Sequence, residues 1–285
     1  MTLDEKSRPG QIKEITSTAN PVIKGLRALA LKKVRDREGL FLAEGLKLVI
    51  DALDLGWKIR TLVFSNSGTG NTLVEKTVAR TVAVGSLVVK TSDKVMAAIT
   101  HRNNPQTVIG VFEQRWHKPE KADFGRNALF LGLDRVRDPG NLGTIIRTAD
   151  AVGASGIILI GDTTTPFSLE TVRATMGSVF AVPLYHMPEK QFLDWRQYFP
   201  GLVVGTHLKG PVDYRTIDYA KGPVMLLMGN EQRGLTENLV NCCDRLARIP
   251  QAGRADSLNL AVATGIILYE IRRGELKLDK RSLQA

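Results

Sequence analysis

The apolar positions of this chain recur at two spacings that alternate along the sequence. Between residues 39 and 114, short apolar runs bounded by turn residues alternate with segments whose apolar residues recur at helical spacing. The pattern predicts strands at 39–45, 59–65, 85–91 and 106–114, and helices at 45–56, 71–80 and 92–100. Strands and helices in alternation indicate an α/β layered domain.

A second series follows a polar, proline-containing segment at 115–127, which we interpret as a linker. Its predicted strands are 128–134, 156–161, 201–207, 223–230 and 245–250, and the last predicted helix is 258–273. These strands are short, apolar throughout and bounded by Gly or Pro, which is typical of a parallel sheet covered on both faces. The expected organisation is therefore an N-terminal domain (1–114), a linker (115–127) and a C-terminal domain (128–285).

A basic stretch precedes the first strand. Residues 17–37 carry an apolar stripe at helical spacing and predict one helix, with Ser17 or Thr18 as its N-cap. Such a run is either a solvated face or a surface that contacts phosphates. Its basic residues are Lys24, Arg27, Lys32, Lys33, Arg35 and Arg37.

Charge and cysteine content narrow the class of protein. The formal net charge of +10 favours a polyanionic partner, RNA or DNA, over a merely basic enzyme. Cys242 and Cys243 are adjacent, so neither a disulfide framework nor a zinc cluster is expected, and the histidines lack metal-ligand spacing. The N-terminal residues 1–15 do not resemble a secretory signal, and the apolar stretch 258–271 is too short to span a bilayer. These features predict a cytoplasmic protein without a metal and without a membrane role.

Three loops follow predicted strands, where ligands of open α/β sheets bind. The first, DPGNLGTIIR at 138–147, offers Asn141 as an N-cap and places Arg147 off the apolar face of the following helix. It lacks the G-x-G-x-x-G of a dinucleotide site and the G-K-[ST] of a Walker loop. Taken alone, a capped helix with an exposed arginine is a structural feature.

The other two loops are equally ambiguous when each is considered alone. In MGNEQRGL at 228–235, two glycines flank Glu231 and Arg233, which is also compatible with an ordinary turn. The segment 249–270 opens a helix at Ser257 or Asn259, and no histidine is placed to support a serine hydrolase.

Together and in this order, the loops resemble the three motifs of the SpoU/TrmH family of RNA 2′-O-ribose methyltransferases, within the SPOUT superfamily. The resemblance covers roughly 128–273 and rests on NLGTIIRTADAVGASGIILIG (141–161), LLMGNEQRGL (226–235) and IPQAGRADSLNLAVATGIILYE (249–270). VRATMGSVF (172–180) is similar to the segment after the second strand of that family. FLAEGLKLVIDAL (41–53) is similar to the substrate-binding domain often fused to it.

The resemblance implies a C-terminal SPOUT domain with a trefoil knot and a smaller N-terminal α/β RNA-binding domain resembling a ribosomal protein. It implies S-adenosylmethionine bound within the knot and a homodimer with active sites at the interface. The polar active-site residues carried over by motif are Asn141, Arg147, Glu231, Ser257 and Asn259. The residues that match cofactor-contacting positions are Thr206, Gly229, Ile249 and Leu258.

The implied reaction is methyl transfer to a ribose 2′-hydroxyl of structured RNA, with 23S ribosomal RNA as the expected substrate. A guanidinium almost never deprotonates, so we assign Arg147 to phosphate binding and oxyanion stabilisation rather than to the base role. The alternatives are a transfer-RNA 2′-O-methyltransferase, a SPOUT-type base methyltransferase and a non-catalytic RNA-binding relative.

Overall fold

The structure is a computed structural model that describes residues 10–208 and 210–278. Residues 1–9 of the stretch examined for a secretory signal lie outside that description. The chain forms two compact units. The first contains the described residues up to Gln114 together with Thr165–Phe180, and the second contains Arg115–Thr164 and the described residues from Ala181 onward.

The strands are β1 (Ile12–Glu14), β2 (Leu40–Glu44), β3 (Ile59–Ser65), β4 (Leu87–Thr91), β5 (Val108–Glu113), β6 (Leu129–Asp134), β7 (Gly156–Ile160), β8 (Leu184–Met187), β9 (Leu202–Thr206), β10 (Val212–Asp213), β11 (Val224–Met228) and β12 (Arg245–Arg248). The α-helices are α1 (Pro21–Ala28), α2 (Lys32–Glu38), α3 (Leu46–Asp54), α4 (Thr72–Ala83), α5 (Asp93–Thr100), α6 (Pro139–Ala151), α7 (Leu169–Thr175), α8 (Glu189–Arg196), α9 (Glu237–Asn241) and α10 (Leu260–Ile271).

The first unit is built on a mixed sheet with strand order β1-β4-β3-β5-β2. β4 runs parallel to β1 and β3, whereas β5 runs antiparallel to β2 and β3. Buried aliphatic side chains such as Ile23, Val63 and Ile109 form one core of this unit. The alternation of strands and helices predicted for 39–114 is confirmed, with each element in the predicted order.

The segment Thr165–Phe180 belongs to the first unit although it lies between β7 and β8 in sequence. The ring of Phe167 lies 4.8 Å from that of Phe41, and the indole of Trp57 donates a 2.9 Å hydrogen bond to the carbonyl of Phe180. Arg173 donates to the buried carboxylate of Glu44 at 2.8 Å. The predicted domain boundaries include this segment in 128–285, but its contacts group it with the first unit.

The second unit is built on a parallel sheet with strand order β10-β12-β9-β11-β6-β7-β8. Consecutive residues of β6, β7 and β11 are buried, because side chains on both faces of these strands are covered. The predicted parallel, doubly covered sheet is confirmed. The prediction omitted β8, which carries the exposed His186, and the short β10.

Residues 115–127, predicted as a linker, pack onto the second unit. The amide of His117 donates to the carbonyl of Leu184 at 2.8 Å, and the indole of Trp195 donates to the carbonyl of Pro119 at 3.2 Å. The ring of Phe124 lies 5.4 Å from that of Trp195. This segment is therefore an ordered part of the second unit.

The basic stretch 17–37 forms two helices, not the single predicted helix. Asn20 caps α1 with Pro21 at its first position, so the prediction of Ser17 or Thr18 as the cap is wrong. The helix is interrupted before α2, and the guanidinium of Arg35 donates to the carbonyls of Leu29 and Ala30 at 2.9 and 2.6 Å. A buried arginine thus satisfies backbone acceptors that the interruption leaves unpaired.

Within the part of the chain that the structure describes, no helix has the length and apolar character to cross a membrane.

Candidate functional site

A cavity of about 730 Å³ opens at the edge of the second sheet where β9, β11 and β12 end. These strands are parallel, so the loops that follow them leave from one edge. Eight of the nine residues predicted for catalysis and cofactor binding line this cavity: Asn141, Thr206, Gly229, Glu231, Ile249, Ser257, Leu258 and Asn259. The three sequence motifs therefore converge on one site.

The first loop leads into α6 through a cap that differs from the predicted one. Asp138 is the N-cap, its carboxylate accepts from the amide of Asn141 at 2.6 Å, and Pro139 takes the first helical position. The expectation that Asn141 caps the helix is wrong, because Asp138 already satisfies that helix amide. The side chain of Asn141 is therefore available to the cavity.

The second loop is a tight turn that Asn230 holds together. The side-chain oxygen of Asn230 accepts from the amides of Gln232 and Arg233 at 3.0 and 3.1 Å. Its amide nitrogen donates to the carbonyl of Arg135 at 2.8 Å. At Gly229 a Cβ atom would lie 2.2 Å from the backbone of Gly234, so a larger residue would push this turn apart. The turn presents Glu231 at the cavity.

The third loop ends at Asn259, which is the N-cap of α10. Its side-chain oxygen accepts from the amides of Ala261 and Val262 at 2.9 and 3.2 Å. Of the two predicted starting residues, Asn259 rather than Ser257 caps the helix, and α10 begins at Leu260 rather than at 258. Because the oxygen faces the helix amides, the NH₂ group of Asn259 is directed elsewhere, and it donates to the side-chain oxygen of Asn141 at 2.9 Å.

Two hydrogen bonds connect side chains of all three motifs in series: the amide of Asn259 donates to the amide of Asn141, which donates to the carboxylate of Glu231. The capping bond fixes which end of Asn259 donates, and that bond in turn directs the NH₂ group of Asn141 to Glu231 at 3.3 Å. The backbone amides of Arg137 and Asp138 also donate to the Glu231 carboxylate, each at 3.3 Å. The NH₂ group of Asn230 donates to it at 3.5 Å, so four donors hold the exposed Glu231 carboxylate in one orientation. We name this series the Asn259–Asn141–Glu231 relay.

The lining of the cavity combines apolar side chains with polar and charged groups of both signs. Apolar side chains such as Met228, Leu260 and Ile267 contribute to the lining, and the loops after β9 and β11 supply main-chain polar groups. Small-molecule sites of about 300–1,000 Å³ are mostly apolar with a few placed polar groups, and this cavity fits that description. Its charged side chains are those of Glu231, Arg233 and Arg248.

Arg147 is the predicted catalytic residue that does not line the cavity. It is exposed on α6, while Ile145, Ile146 and Ala149 of the same helix are buried, so its predicted position off the apolar face is confirmed. Arg147 follows Asn141 by six residues, which places it about 9 Å further along the helix and about 120° around its axis. Its own chain does not bring it to the Asn259–Asn141–Glu231 relay.

Sequence reasoning did not single out Asp134 and Arg135 at the end of β6. Asp134 is buried and accepts from the guanidinium of Arg135 at 2.7 Å and from the amide of Thr236 at 3.1 Å. The hydrogen bond of its guanidinium to Asp134 raises the pKa of Arg135, whose backbone lies in the left-handed region at φ 49°. Arg135 also donates to the carbonyl of Gly234 at 3.2 Å and so links the first loop to the second. The sequence signal that could have identified this pair is a carboxylate, Asp134, at the end of an apolar strand, followed directly by a cation, Arg135.

The basic residues predicted to contact RNA lie on α1 and α2 of the first unit. Five are exposed: Lys24, Arg27, Lys32, Lys33 and Arg37. Arg35 is 4% exposed, and burial lowers the pKa of its guanidinium. The assignment of Arg35 to phosphate contact is therefore corrected, because its buried guanidinium donates to the carbonyls of Leu29 and Ala30.

Among residues 10–208 and 210–278, the His, Cys, Asp and Glu side chains form no group of three that could hold a metal ion.

Comparison with known proteins assigns both parts of the chain to described families. Residues 128–269 match the SpoU rRNA Methylase family, and residues 20–110 match the MRM3-like substrate binding domain. The first match contains the three loops of the cavity, and the second contains the exposed basic residues of α1 and α2.

Relatives resemble the chain along most of its length. An rRNA methyltransferase from Sinorhizobium meliloti, with a crystal structure in the AdoMet-bound form, is 59% identical, with 94% of this chain and 100% of that chain covered and a TM-score of 0.89. A 23S rRNA (uridine(2479)-2′-O)-methyltransferase from Streptomyces viridochromogenes is 32% identical over 251 residues, 86% of each chain. A 23S rRNA (guanosine(2553)-2′-O)-methyltransferase, RlmP, from Bacillus subtilis is 31% identical over 92% of this chain and 100% of its own.

Proposed function

The chain belongs to the SpoU rRNA methylase family, and we propose that it transfers a methyl group from S-adenosylmethionine to a ribose 2′-hydroxyl of 23S ribosomal RNA. The observation that supports this most is the Asn259–Asn141–Glu231 relay, which joins the three motifs around one cavity. The relatives from Streptomyces viridochromogenes and Bacillus subtilis are named as 2′-O-methyltransferases of 23S rRNA.

The residues at the ends of β9, β11 and β12 would hold the cofactor. Thr206, Gly229, Ile249 and Leu258 line the cavity there, largely with backbone and apolar groups. When bound, S-adenosylmethionine supplies a methyl group made electrophilic by its sulfonium. The family resemblance implies that the chain around these strands is knotted, and we include the trefoil knot in the proposal.

The protein's own residues must activate and orient the ribose hydroxyl, which is a poor nucleophile near neutral pH. Arg147 remains protonated, so its role is to bind an RNA phosphate and to stabilise negative charge as it develops on the 2′-oxygen. The relay holds Glu231 in one orientation, and Ser257 is a further polar side chain at the cavity. The phosphate or a water molecule receives the hydroxyl proton.

A homodimer is part of the same proposal. Two apolar residues of α10, Leu260 and Ile267, are buried within the chain and are not available to a partner. The apolar surface that α10 exposes consists of Val262, part of Ile266 and Tyr269. Because Arg147 does not reach the cavity of its own chain, we assign it to the cavity of the second copy.

The N-terminal region, 1–114, supplies affinity for RNA in this proposal, and 128–285 supplies the chemistry together with segment 115–127. The proposed substrate places the protein in the cytoplasm, where ribosomal RNA is modified. No metal is required by the proposed chemistry, since a protonated guanidinium provides the electrostatic stabilisation.

The test is methyl transfer from labelled S-adenosylmethionine to in vitro transcribed 23S rRNA, followed by digestion to nucleosides. A 2′-O-methylated nucleoside supports the proposal, whereas a methylated base shows the base methyltransferase and labelling of transfer-RNA transcripts alone shows the tRNA enzyme. Calorimetry with S-adenosylmethionine identifies the non-catalytic alternative, which binds RNA without binding the cofactor. NADH is the control ligand, because a dinucleotide fingerprint is absent from the sequence.

A further inference from the structure

Trp116 and His186 form an exposed aromatic pair in the second unit. The two ring centroids lie 5.7 Å apart with an angle of 43° between the planes, and 40% of Trp116 is exposed to solvent. His186 is exposed on β8, and its Nε2 lies 3.1 Å from the carbonyl of Gly161, which restrains the imidazole ring. The two rings therefore hold each other in a fixed arrangement at the surface.

The backbone determines that Trp116 is presented outward. The amide of His117 donates to the carbonyl of Leu184, so this stretch runs alongside β8. Successive side chains of extended backbone point to opposite faces. The ring of His117, which is itself exposed, lies 5.7 Å from that of the buried Tyr185, while Trp116 contacts the exposed His186. Lys118, next in sequence, is exposed and adds a positive charge.

The sheet register relates this pair to the cavity. Met228, Leu133, Leu159 and His186 are paired residues of four adjacent strands and form one row across the sheet. Met228 lines the cavity, and the Glu231 turn follows it. Adjacent strands are about 4.8 Å apart, so three steps place His186 about 14 Å from Met228. Residues of one row in a parallel sheet point to the same face.

We propose that Trp116 and His186 form a platform on which an unpaired base of the RNA substrate stacks, close to the methylated nucleotide. The inference rests on the proposed function, which supplies RNA as the ligand. Stacking of a base on an aromatic side chain contributes about 1–3 kcal/mol, or about 5- to 150-fold in affinity. Lys118 contributes the phosphate contact that usually accompanies such stacking.

The experiment compares Trp116→Ala and Trp116→Phe with Tyr198→Ala in the full-length protein. Tyr198 is a matched control, because it is 79% exposed and precedes β9, which is an interior strand separated from β8 by β11, β6 and β7. The probe is in vitro transcribed, unmodified 23S rRNA. Trp116→Ala is expected to raise the dissociation constant and the KM for RNA at least about 5-fold, with the loss mainly in KM. Trp116→Phe should retain most of the affinity, and Tyr198→Ala should behave as wild type.

An abasic scan of a shortened RNA substrate separates stacking from a structural role of Trp116. One abasic position should weaken binding of the wild type but not of Trp116→Ala, since both changes remove the same contact. Equal losses from every abasic position in both proteins, or unchanged RNA affinity in Trp116→Ala, would overturn the platform. If the platform is overturned but the wild type still methylates ribose in the same assays, the proposed function stands. If the wild type binds RNA without methylating it, the proposed function fails, and the binding data alone decide on the platform.

Discussion

Arg147 occupies an exposed position on α6 that has no role in the core of its own chain. We therefore expect Arg147→Ala to change the free energy of unfolding by no more than about 0.5 kcal/mol, as is usual for surface substitutions. Affinity for S-adenosylmethionine should be unchanged, because other loops line the cavity. Single-turnover methyl transfer should fall by on the order of 10²–10³, as when one preorganised oxyanion donor is lost.

Arg147→Lys should restore little of this activity, because an ammonium cannot hold a phosphate and a hydroxyl in the planar fork geometry of a guanidinium. The measurement is single-turnover transfer at saturating RNA and cofactor, with a thermal melt of each variant. An alanine variant that melts normally and transfers at the wild-type rate would show that Arg147 is an ordinary surface residue.

Asn259 combines two roles that a matched pair of substitutions separates. Asn259→Ala removes both the cap of α10 and the donor to Asn141, so it should lower stability by about 0.5–2 kcal/mol and also reduce activity. Asn259→Asp retains an oxygen for the helix amides and places a negative charge at the helix N-terminus, which preserves stability. It removes the donor, so Glu231 loses its fixed orientation and the rate should fall about 10- to 100-fold.

Thermal melts and single-turnover rates on the two variants check this expectation. A stable Asn259→Asp variant with wild-type activity would mean that the relay has no part in the reaction.

The residues of the cavity differ in how far the sequence predicts them. Motif resemblance named Glu231 and Asn259 as active-site residues, and both line the cavity, because each motif carries its own turn or cap. The cap of α6 was wrong because Asp138 and Asn141 are both good N-cap residues, and local sequence does not choose between them. Arg135 was not found because its partner Gly234 is distant in sequence, and only the folded sheet brings the two loops together.

At the scale of the element, the basic stretch separates into exposed residues and one buried residue. Replacing Lys24, Arg27, Lys32, Lys33 and Arg37 by Gln should weaken RNA binding and reduce the slope of log affinity against log salt by about one unit per lost phosphate contact. Arg35→Gln is the contrasting variant: it should leave the slope unchanged and lower the melting temperature, because Arg35 is buried and bonded to backbone carbonyls.

Filter binding or anisotropy at several salt concentrations provides these slopes. If the five-residue variant keeps the wild-type slope, α1 and α2 are only a solvated face.

The segment Thr165–Phe180 shows where element-level prediction from sequence ends. Its apolar and polar residues do not reveal which unit they pack against, because that choice depends on partners far away in sequence. Phe167 joins a ring cluster around Phe41, and Arg173 pairs with Glu44, which lies 129 residues earlier. Five of the seven strands of the second sheet were predicted by contrast, since their apolar runs are long enough to be recognised individually, whereas β8 and β10 were omitted.

At the scale of the whole molecule, α10 leaves an exposed apolar stripe next to a cavity whose rim is also exposed. Val262 and Tyr269 are each 52% exposed. Val262→Glu with Tyr269→Glu should convert a dimer to a monomer, because charges at the core of a homodimer interface are strongly disfavoured. Analytical ultracentrifugation at micromolar concentration measures this directly, and Leu276→Glu, a change at an exposed residue beyond the helix, is the control. A wild-type protein that sediments as an active monomer would contradict the homodimer.

The final prediction concerns how two chains share one active site. Asn141 and Asn259 are bonded within one chain, while Arg147 of that chain does not line their cavity. If Arg147 serves the cavity of the partner, a heterodimer of Arg147→Ala and Asn259→Asp contains one site with both defects and one intact site. Co-expression in equal amounts should then restore about one quarter of wild-type activity, because half of the dimers in a two-fold symmetric mixture are mixed and each mixed dimer has one intact site.

Asn141→Ala co-expressed with Asn259→Asp should restore none, since each mixed dimer then carries one defect in each cavity. Activity is measured in the unseparated mixture, and heterodimers purified through two different affinity tags should show about one half of wild-type activity, since one of their two sites is intact. Failure of the first pair to recover activity, with heterodimers present, would place Arg147 and the relay in the same chain's site and contradict the shared arrangement.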